Sequence, residues 1–295
     1  MYKKILVTLD GSKLAELALP YAECLAKTFG SEIILLSIIE RTDSEYQHMY
    51  QLYVEKMAAL VKHNIESNPT ATVEPVILSG KPAKEIIDYA EQNDVRLIII
   101  ASHGHTGIKS WAMGSVANNV LERTSVPILL VRAKTPCTEG SGEKLFSRIL
   151  IPLDGSENGE AALAHIMELS NELQTEVTLL QVISDSKHVH TVGGQNIIRF
   201  TEEQLESTKT RTKQYLEEVC QKLTNTKAVT KCEVQIGDAT EEVIKFADKM
   251  NAGVVALSHQ GHTGLGQLFM GSVAHKILHS GNKPVLLVKM PGKQS

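Results

Sequence analysis

The chain carries one stretch twice: GHTGIKSWAMGSVA from Gly104 to Ala117 and GHTGLGQLFMGSVA from Gly261 to Ala274, 157 residues apart. Such a repeat constrains the fold more than any other feature, because one supersecondary plan must serve both copies. KKILVTLDGS (Lys3 to Ser12) answers SRILIPLDGS (Ser147 to Ser156), and EIILLSIIE (Glu32 to Glu40) answers EVTLLQVIS (Glu176 to Ser184), both offset by 144. From SGKPAKEII (Ser79 to Ile87) and IGDATEEVI (Ile236 to Ile244) onward the offset is 157, and VPILLV and KPVLLV keep it. The second copy therefore holds 13 extra residues, and the polar, glycine-bearing SDSKHVHTVGGQNIIRF, around residues 185–200, is where they fall. AKTPCTEGSGEKLF, rich in turn formers and without periodicity, reads as a linker. The expected division is a domain over 1–134, a linker over 135–146 and a second domain over 147–291, which suits 295 residues.

Each copy alternates strand and helix. In the first, Ile5 to Leu9 is an apolar run ended by Asp10-Gly11-Ser12, and Ser12 is a suitable N-cap for a helix running to a stop at Gly30. Pro20 lies inside that pattern and predicts a kink. Strands follow at Ile33–Ile39, Val73–Leu78, Val95–Ala101 and Ile128–Val131, with helices at Tyr46–His63, Ala83–Gln92 and Ser115–Arg123 between them. Apolar strands alternating with helices predict α/β architecture: two tandem doubly wound parallel five-stranded sheets, strand order 3-2-1-4-5.

Composition narrows the partners. Hydrophobic residues make up 42% and charged residues 22%, ordinary values for a soluble globular protein. The net charge is −4 and no basic run occurs, which argues against nucleic acid or an anionic membrane surface. The apolar runs fall far short of the ~20 residues of a membrane span, and MYKKILVTLD enters a strand at once, without a signal-peptide pattern. Cys24, Cys137, Cys220 and Cys232 show no metal spacing and read as thiols of a cytoplasmic protein.

The repeated glycine stretch is suited to an anion. Ala101 ends a strand, Gly104 and Gly107 turn the chain, and Gly114-Ser115 opens a helix whose first N–H groups and dipole favour negative charge. The plainer reading is that the glycines only turn and Ser115 only caps. The stretch is not a P-loop, since no Gly-Lys-Ser/Thr follows, and it is not a dinucleotide fingerprint, since it follows the fourth strand. With order 3-2-1-4-5, strands one and four adjoin at the topological switch point, where ligands of open α/β sheets bind. Asp10 and Asp154, in the loops after each first strand, then face the glycines. Asp either forms the Asp-Gly-Ser turn or accepts from ribose hydroxyls or base amino groups.

At these residues the chain resembles the universal stress protein family in its tandem two-domain form, over nearly its whole length. ILVTLDGS and ILIPLDGS, ASHGHTG and LSHQGHTG, MGSVA twice, and VPILLV and KPVLLV carry the resemblance. The family's nucleotide-binding branch carries G-x2-G-x9-G-S/T. Gly104, Gly114 and Ser115 match it, as do Gly261, Gly271 and Ser272, but Ala101 and Ser258 stand where the first glycine belongs. The resemblance implies an adenine nucleotide alpha hydrolase-like fold that binds ATP, with Mg2+ as counter-ion. By the same matching, Asp10 and Asp154 stand near ribose or adenine, Ile38 and Val182 flank adenine, and Val116 and Val273 follow the serines of the cradle. Pro152 keeps the proline common before the aspartate, whereas Thr8 replaces it. The last strands pair across a two-fold axis in such proteins, which implies an intrachain pseudo-dimer or a homodimer. The implied function is a nucleotide-binding regulatory module of the stress response.

Two rivals remain on the residues. His259-Gln260-Gly261-His262 matches H-x-G-H of nucleotidylyl transferases, but those enzymes carry it after the first strand. His188 and His190 lack a third ligand at fixed spacing and read as exposed loop histidines. No dedicated catalytic constellation is visible, so at most slow ATP hydrolysis is expected. The alternative from another class is a non-binding interaction protein that uses its duplicated domains as a scaffold.

Overall fold

The computed structural model describes residues 2–40, 44–102, 113–132, 142–191, 194–223, 226–259 and 270–289. Its first half runs β1 (Lys4–Leu9), α1 (Lys13–Glu16), α2 (Leu19–Phe29), β2 (Glu32–Ile39), α3 (Ser44–Asn64), β3 (Thr72–Ser79), α4 (Pro82–Gln92), β4 (Leu97–Ala101), α5 (Ser115–Arg123) and β5 (Ile128–Val131). The second half runs α6 (Gly142–Leu145), β6 (Arg148–Pro152), a 3-10 turn (Asn158–Ala161), α7 (Ala162–Glu172), β7 (Glu176–Ile183), β8 (Ser186–Thr191), β9 (Gly194–Arg199), α8 (Glu202–Lys222), β10 (Val229–Ile236), α9 (Ala239–Lys249), β11 (Val254–Ser258), α10 (Ser272–Ser280) and β12 (Val285–Val288).

Local chemistry explains the boundaries. Ser12 caps α1 by accepting from the Ala15 N–H at 3.1 Å. The helix then breaks instead of kinking: α2 restarts at Leu19 with Pro20 in its first turn, where a missing N–H costs nothing. Gly30 ends α2 in the left-handed conformation, φ 64°, its N–H reaching the Ala26 carbonyl at 2.9 Å.

The strands order as β10-β7-β6-β11-β12-β5-β4-β1-β2-β3. Within each half this is the expected 3-2-1-4-5, all parallel. The two expected sheets are, however, one ten-stranded sheet, because β5 and β12 pair antiparallel, Ile128 with Leu287 and Leu130 with Val285. The reason is burial: all four residues of each edge strand are buried, and an apolar edge left open exposes unpaired backbone. One apolar layer covers each face of the sheet and runs through both halves, with Leu129 and Leu286 in one and Leu130 and Leu287 in the other.

Reciprocal ties cross this seam. Arg132, just past β5, donates to the Ile277 carbonyl at 3.1 Å and to that of Leu278, in the last turn of α10. Lys289, just past β12, donates to the Glu122 carbonyl in the last turn of α5 at 2.9 Å. Each half thus lends a cation to the negative end of the other's helix. Burial pushes the Arg132 guanidinium down to about 10.

Two segments depart from expectation in shape. The insert of the second half, read as an exposed loop, pairs with itself as the β8–β9 hairpin, Ser186 opposite Arg199 and Thr191 opposite Gly194. His188 and His190 accordingly lie on β8. The end of the expected linker is packed: α6 occupies part of it, and Phe146, 2% exposed, meets the Tyr21 ring edge-on at 5.8 Å. Cys24, Cys220 and Cys232 are thiols outside any disulfide, and Cys137 lies outside the described residues.

Candidate nucleotide cleft

Parallel strands end together, and connections leave β1 and β4 in opposite directions, so a crevice opens at their carboxyl ends. A cleft of about 450 Å³ occupies that place in the first half. Its apolar wall is Leu36 and Ile38 from β2, Ile100 from β4, and Pro82 and Ile86 from the start of α4. Asp10 and Glu40 supply carboxylates, and Gly114, Ser115 and Val116 bring the N-terminus of α5 to its rim. A cleft of this size with few polar groups suits one small organic molecule.

The α5 terminus presents amides. The Gly114 N–H reaches back to the Ser102 carbonyl at 2.9 Å, and the first helical bond runs from the Asn118 N–H to the Gly114 carbonyl at 3.0 Å. The helix itself offers no acceptor to the N–H groups of Ser115, Val116 and Ala117. Ser115 does not cap: Gly114 holds the cap position without a side-chain bond, and the Ser115 side chain is exposed. The second half repeats this, Gly271 N–H to the His259 carbonyl at 2.9 Å and Gly271 at the cap before exposed Ser272 and Val273. Gly104 and Gly261 lie outside the described residues.

Asp10 forms the Asp-Gly-Ser turn at the cleft. It lines the cleft, and its Oδ1 accepts from the Ser12 N–H at 3.0 Å and the Ser12 hydroxyl at 2.6 Å, a turn that needs φ 83° at Gly11. Asp154 makes the same pair of bonds to Ser156 at 3.0 and 2.6 Å. Pro152 ends β6, and Val182 stands near the end of β7 as Ile38 does on β2. Ala101 and Ser258 each close a fourth strand.

Sequence reasoning missed Tyr46 and Tyr50, which line the cleft from the first turns of α3. Their rings lie 5.5 Å apart, tilted by 31°, and the Tyr50 hydroxyl donates to the Asp10 carbonyl at 3.3 Å. Burial first, then Tyr46 and Asp10, push the Tyr50 hydroxyl's pKa up, so it stays protonated. Topology held the signal: every helix after a parallel strand starts at the carboxyl edge, so its first turns border the crevice.

With this geometry in hand, the profile of the universal stress protein family matches residues 1–132 and 145–289. The chain belongs to the universal stress protein family. A universal stress protein of Methanocaldococcus jannaschii is 29% identical over 157 residues, covering 45% of this chain and 97% of the relative. YxiE of Bacillus subtilis is 29% identical over 148 residues, covering 45% of this chain and all of the relative. These relatives therefore correspond to one half. A solved universal stress protein from Archaeoglobus fulgidus spans 98% of this chain and 99% of its own at TM-score 0.70 and 19% identity, which shows the tandem fold. Among the described residues, no helix is long and apolar enough to cross a membrane.

His259, the first residue of the H-x-G-H match, follows β11, the fourth strand of its half, and is 4% exposed. Burial, then Lys289 nearby, pushes its pKa from 6.5 down to about 4. The unfolded chain then binds a proton that the folded chain refuses. The associated stability is complete above pH 6.5 and is lost as the pH falls toward 4. Between pH 7 and 4.5 the parent is expected to lose about 1–2 kcal/mol more than His259→Asn. Urea midpoints at both pH values would show it; parallel losses would mean the imidazole protonates freely in the fold.

Proposed function

We propose that this universal stress protein is an adenine-nucleotide-binding regulatory module working in the cytoplasm, with ATP as its ligand. The observation that carries the reading is the juxtaposition across one crevice of the α5 amide terminus, the Asp10 loop and an apolar wall centred on Ile38. An adenine ring would lie on Ile38, Leu36 and Ile86, Asp10 would accept from the ribose, and the Ser115–Ala117 amides would hold phosphate oxygens. Gly104 and Gly114 belong to the same cradle. Mg2+ would enter with the phosphates as their counter-ion. In the second half Pro152, Asp154, Val182, Ser258, Gly261, Gly271, Ser272 and Val273 are the corresponding positions. Residues 1–134 and 147–291 act as two domains joined through β5 and β12 as an intrachain pseudo-dimer. No dedicated catalytic role is assigned, and the module works by binding.

The purified chain is expected to carry or take up adenine nucleotide, read as absorbance at 260 nm in the filtrate after denaturation. Gly114 stands at φ −58°, ψ 146°, a conformation open to any residue, so Gly114→Val is expected to fold. Its branched side chain at the cradle should weaken ATP binding by at least about 100-fold, near 3 kcal/mol. ATP affinity unchanged in a folded Gly114→Val variant would reject the cradle.

A further inference from the structure

The two halves share a fold, but several residues that border the two crevices differ where the proposed ligand would sit. In the first half, Ala101 ends β4 without a polar side chain, Ala15 lines the open cleft, and Tyr46 and Tyr50 stand over it from α3. In the second half, the residue matching Ala101 is Ser258, and its hydroxyl is already engaged. It donates to the Gly159 carbonyl at 2.7 Å and accepts from the Ala162 N–H at 3.3 Å, stitching the mouth of β11 to the 3-10 turn after β6.

That turn is held from its other side as well. Glu160 accepts from the Tyr215 hydroxyl at 3.1 Å and pairs with Lys222, both on α8. It is also curled tightly: a Cβ on Gly159 would lie 2.5 Å from Asp154 Oδ1. In the first half the matching contact from α3 to α1 is longer, Tyr53 to Glu16 at 3.5 Å. Finally, the first turns of α8, EEQLEST, contain no aromatic residue in place of the tyrosine pair.

We propose that the chain takes one adenine nucleotide, in the first half alone. There Tyr46 and Tyr50 wall the nucleoside end of the cleft, while the Ser258 stitch holds the second crevice shut. The proposal rests on the nucleotide reading above and adds stoichiometry, location and an aromatic specificity element to it. A nucleoside gains from the tyrosines because a base or ribose face packs on a ring without needing a matched hydrogen bond. The second half then serves as the fixed partner that completes the sheet through β12.

The test is calorimetric titration of the full chain with ATP and Mg2+. The parent is expected to bind one equivalent. Ser115→Asp places a carboxylate at the amide terminus, which suits the helix but repels phosphate, and it should abolish all binding. Tyr46→Ala should raise Kd about 10-fold, whereas Tyr46→Phe, which keeps the ring, should stay within about 2-fold. Ser258→Gly removes the stitch and supplies the missing first glycine, and should raise the stoichiometry towards two. Two equivalents in the parent, or a site surviving in Ser115→Asp, would overturn the one-site assignment while leaving the nucleotide reading intact. A Tyr46→Ala Kd equal to the parent's would remove the aromatic element, and Ser258→Gly still at one would remove the stitch. Absence of binding by the parent would instead reject the nucleotide reading itself.

Discussion

Replacing Leu287 by aspartate is expected to destabilise the chain more than any other single change considered. Leu287 lies on β12, pairs with Ile128 of β5 across the seam and with Leu257 of β11 on its other side, and is 2% exposed. A carboxylate there would sit within the apolar layer that spans both halves. It must either stay ionised without a partner or take up a proton at neutral pH, and it forfeits the leucine's burial as well. The combined cost is about 4–5 kcal/mol, which lowers the melting temperature by on the order of 10 °C for a chain of this size. Leu287→Met, which keeps volume and polarity, should cost under about 1.5 kcal/mol. If the aspartate variant melts within two or three degrees of the parent, the β5–β12 seam is not packed as described.

The second large effect is expected at Gly253, where two backbones meet. A Cβ there would lie 2.1 Å from the Leu145 carbonyl oxygen and 2.9 Å from its carbon, both main-chain atoms that cannot rotate away. The Gly253 N–H is itself fixed, donating to the Arg148 carbonyl at 2.8 Å. Gly253→Val must therefore push α6 off the second half, and Phe146 follows directly after α6. Overpacking of this kind costs about 1–3 kcal/mol, and partial loss of the Phe146 burial against Tyr21 adds about 1–2 kcal/mol. Urea unfolding should show a loss of about 3–4 kcal/mol with little change in far-ultraviolet ellipticity. A loss under 1 kcal/mol would mean that α6 does not rest on Gly253.

Much of this molecule was readable before any coordinates. Ser12 caps, Gly30 stops and Pro20 interrupts for reasons of backbone chemistry that act within a few residues, so the order of elements followed directly. Pro20 was misjudged only in degree: a proline at a helix start is comfortable, and the chain restarted α2 around it instead of bending. The insert could have been suspected as a hairpin, since two six-residue arms, SKHVHT and GQNIIR, flank a glycine-bearing centre. Its polar composition hid that pairing. The cleft residues contributed by the repeated motifs, Asp10, Ile38, Ala101, Gly114, Ser115 and Val116, were also legible, and all of them line one cavity. Tyr46, Tyr50, Pro82 and Ile86 were not, because their relevance depends on where α3 and α4 begin in space.

What the sequence determined unaided was the duplication, the alternation of strand and helix, and membership in the universal stress protein family, because repeats, periodicity and caps are local patterns written residue by residue. What only the tertiary structure decided was the antiparallel register that joins β5 to β12, the reciprocal ties of Arg132 and Lys289, and the bond from Ser258 to the 3-10 turn. Those depend on pairs far apart in the chain, such as Leu287 with Ile128 or Ser258 with Gly159, whose meeting is a property of packing that no local pattern encodes.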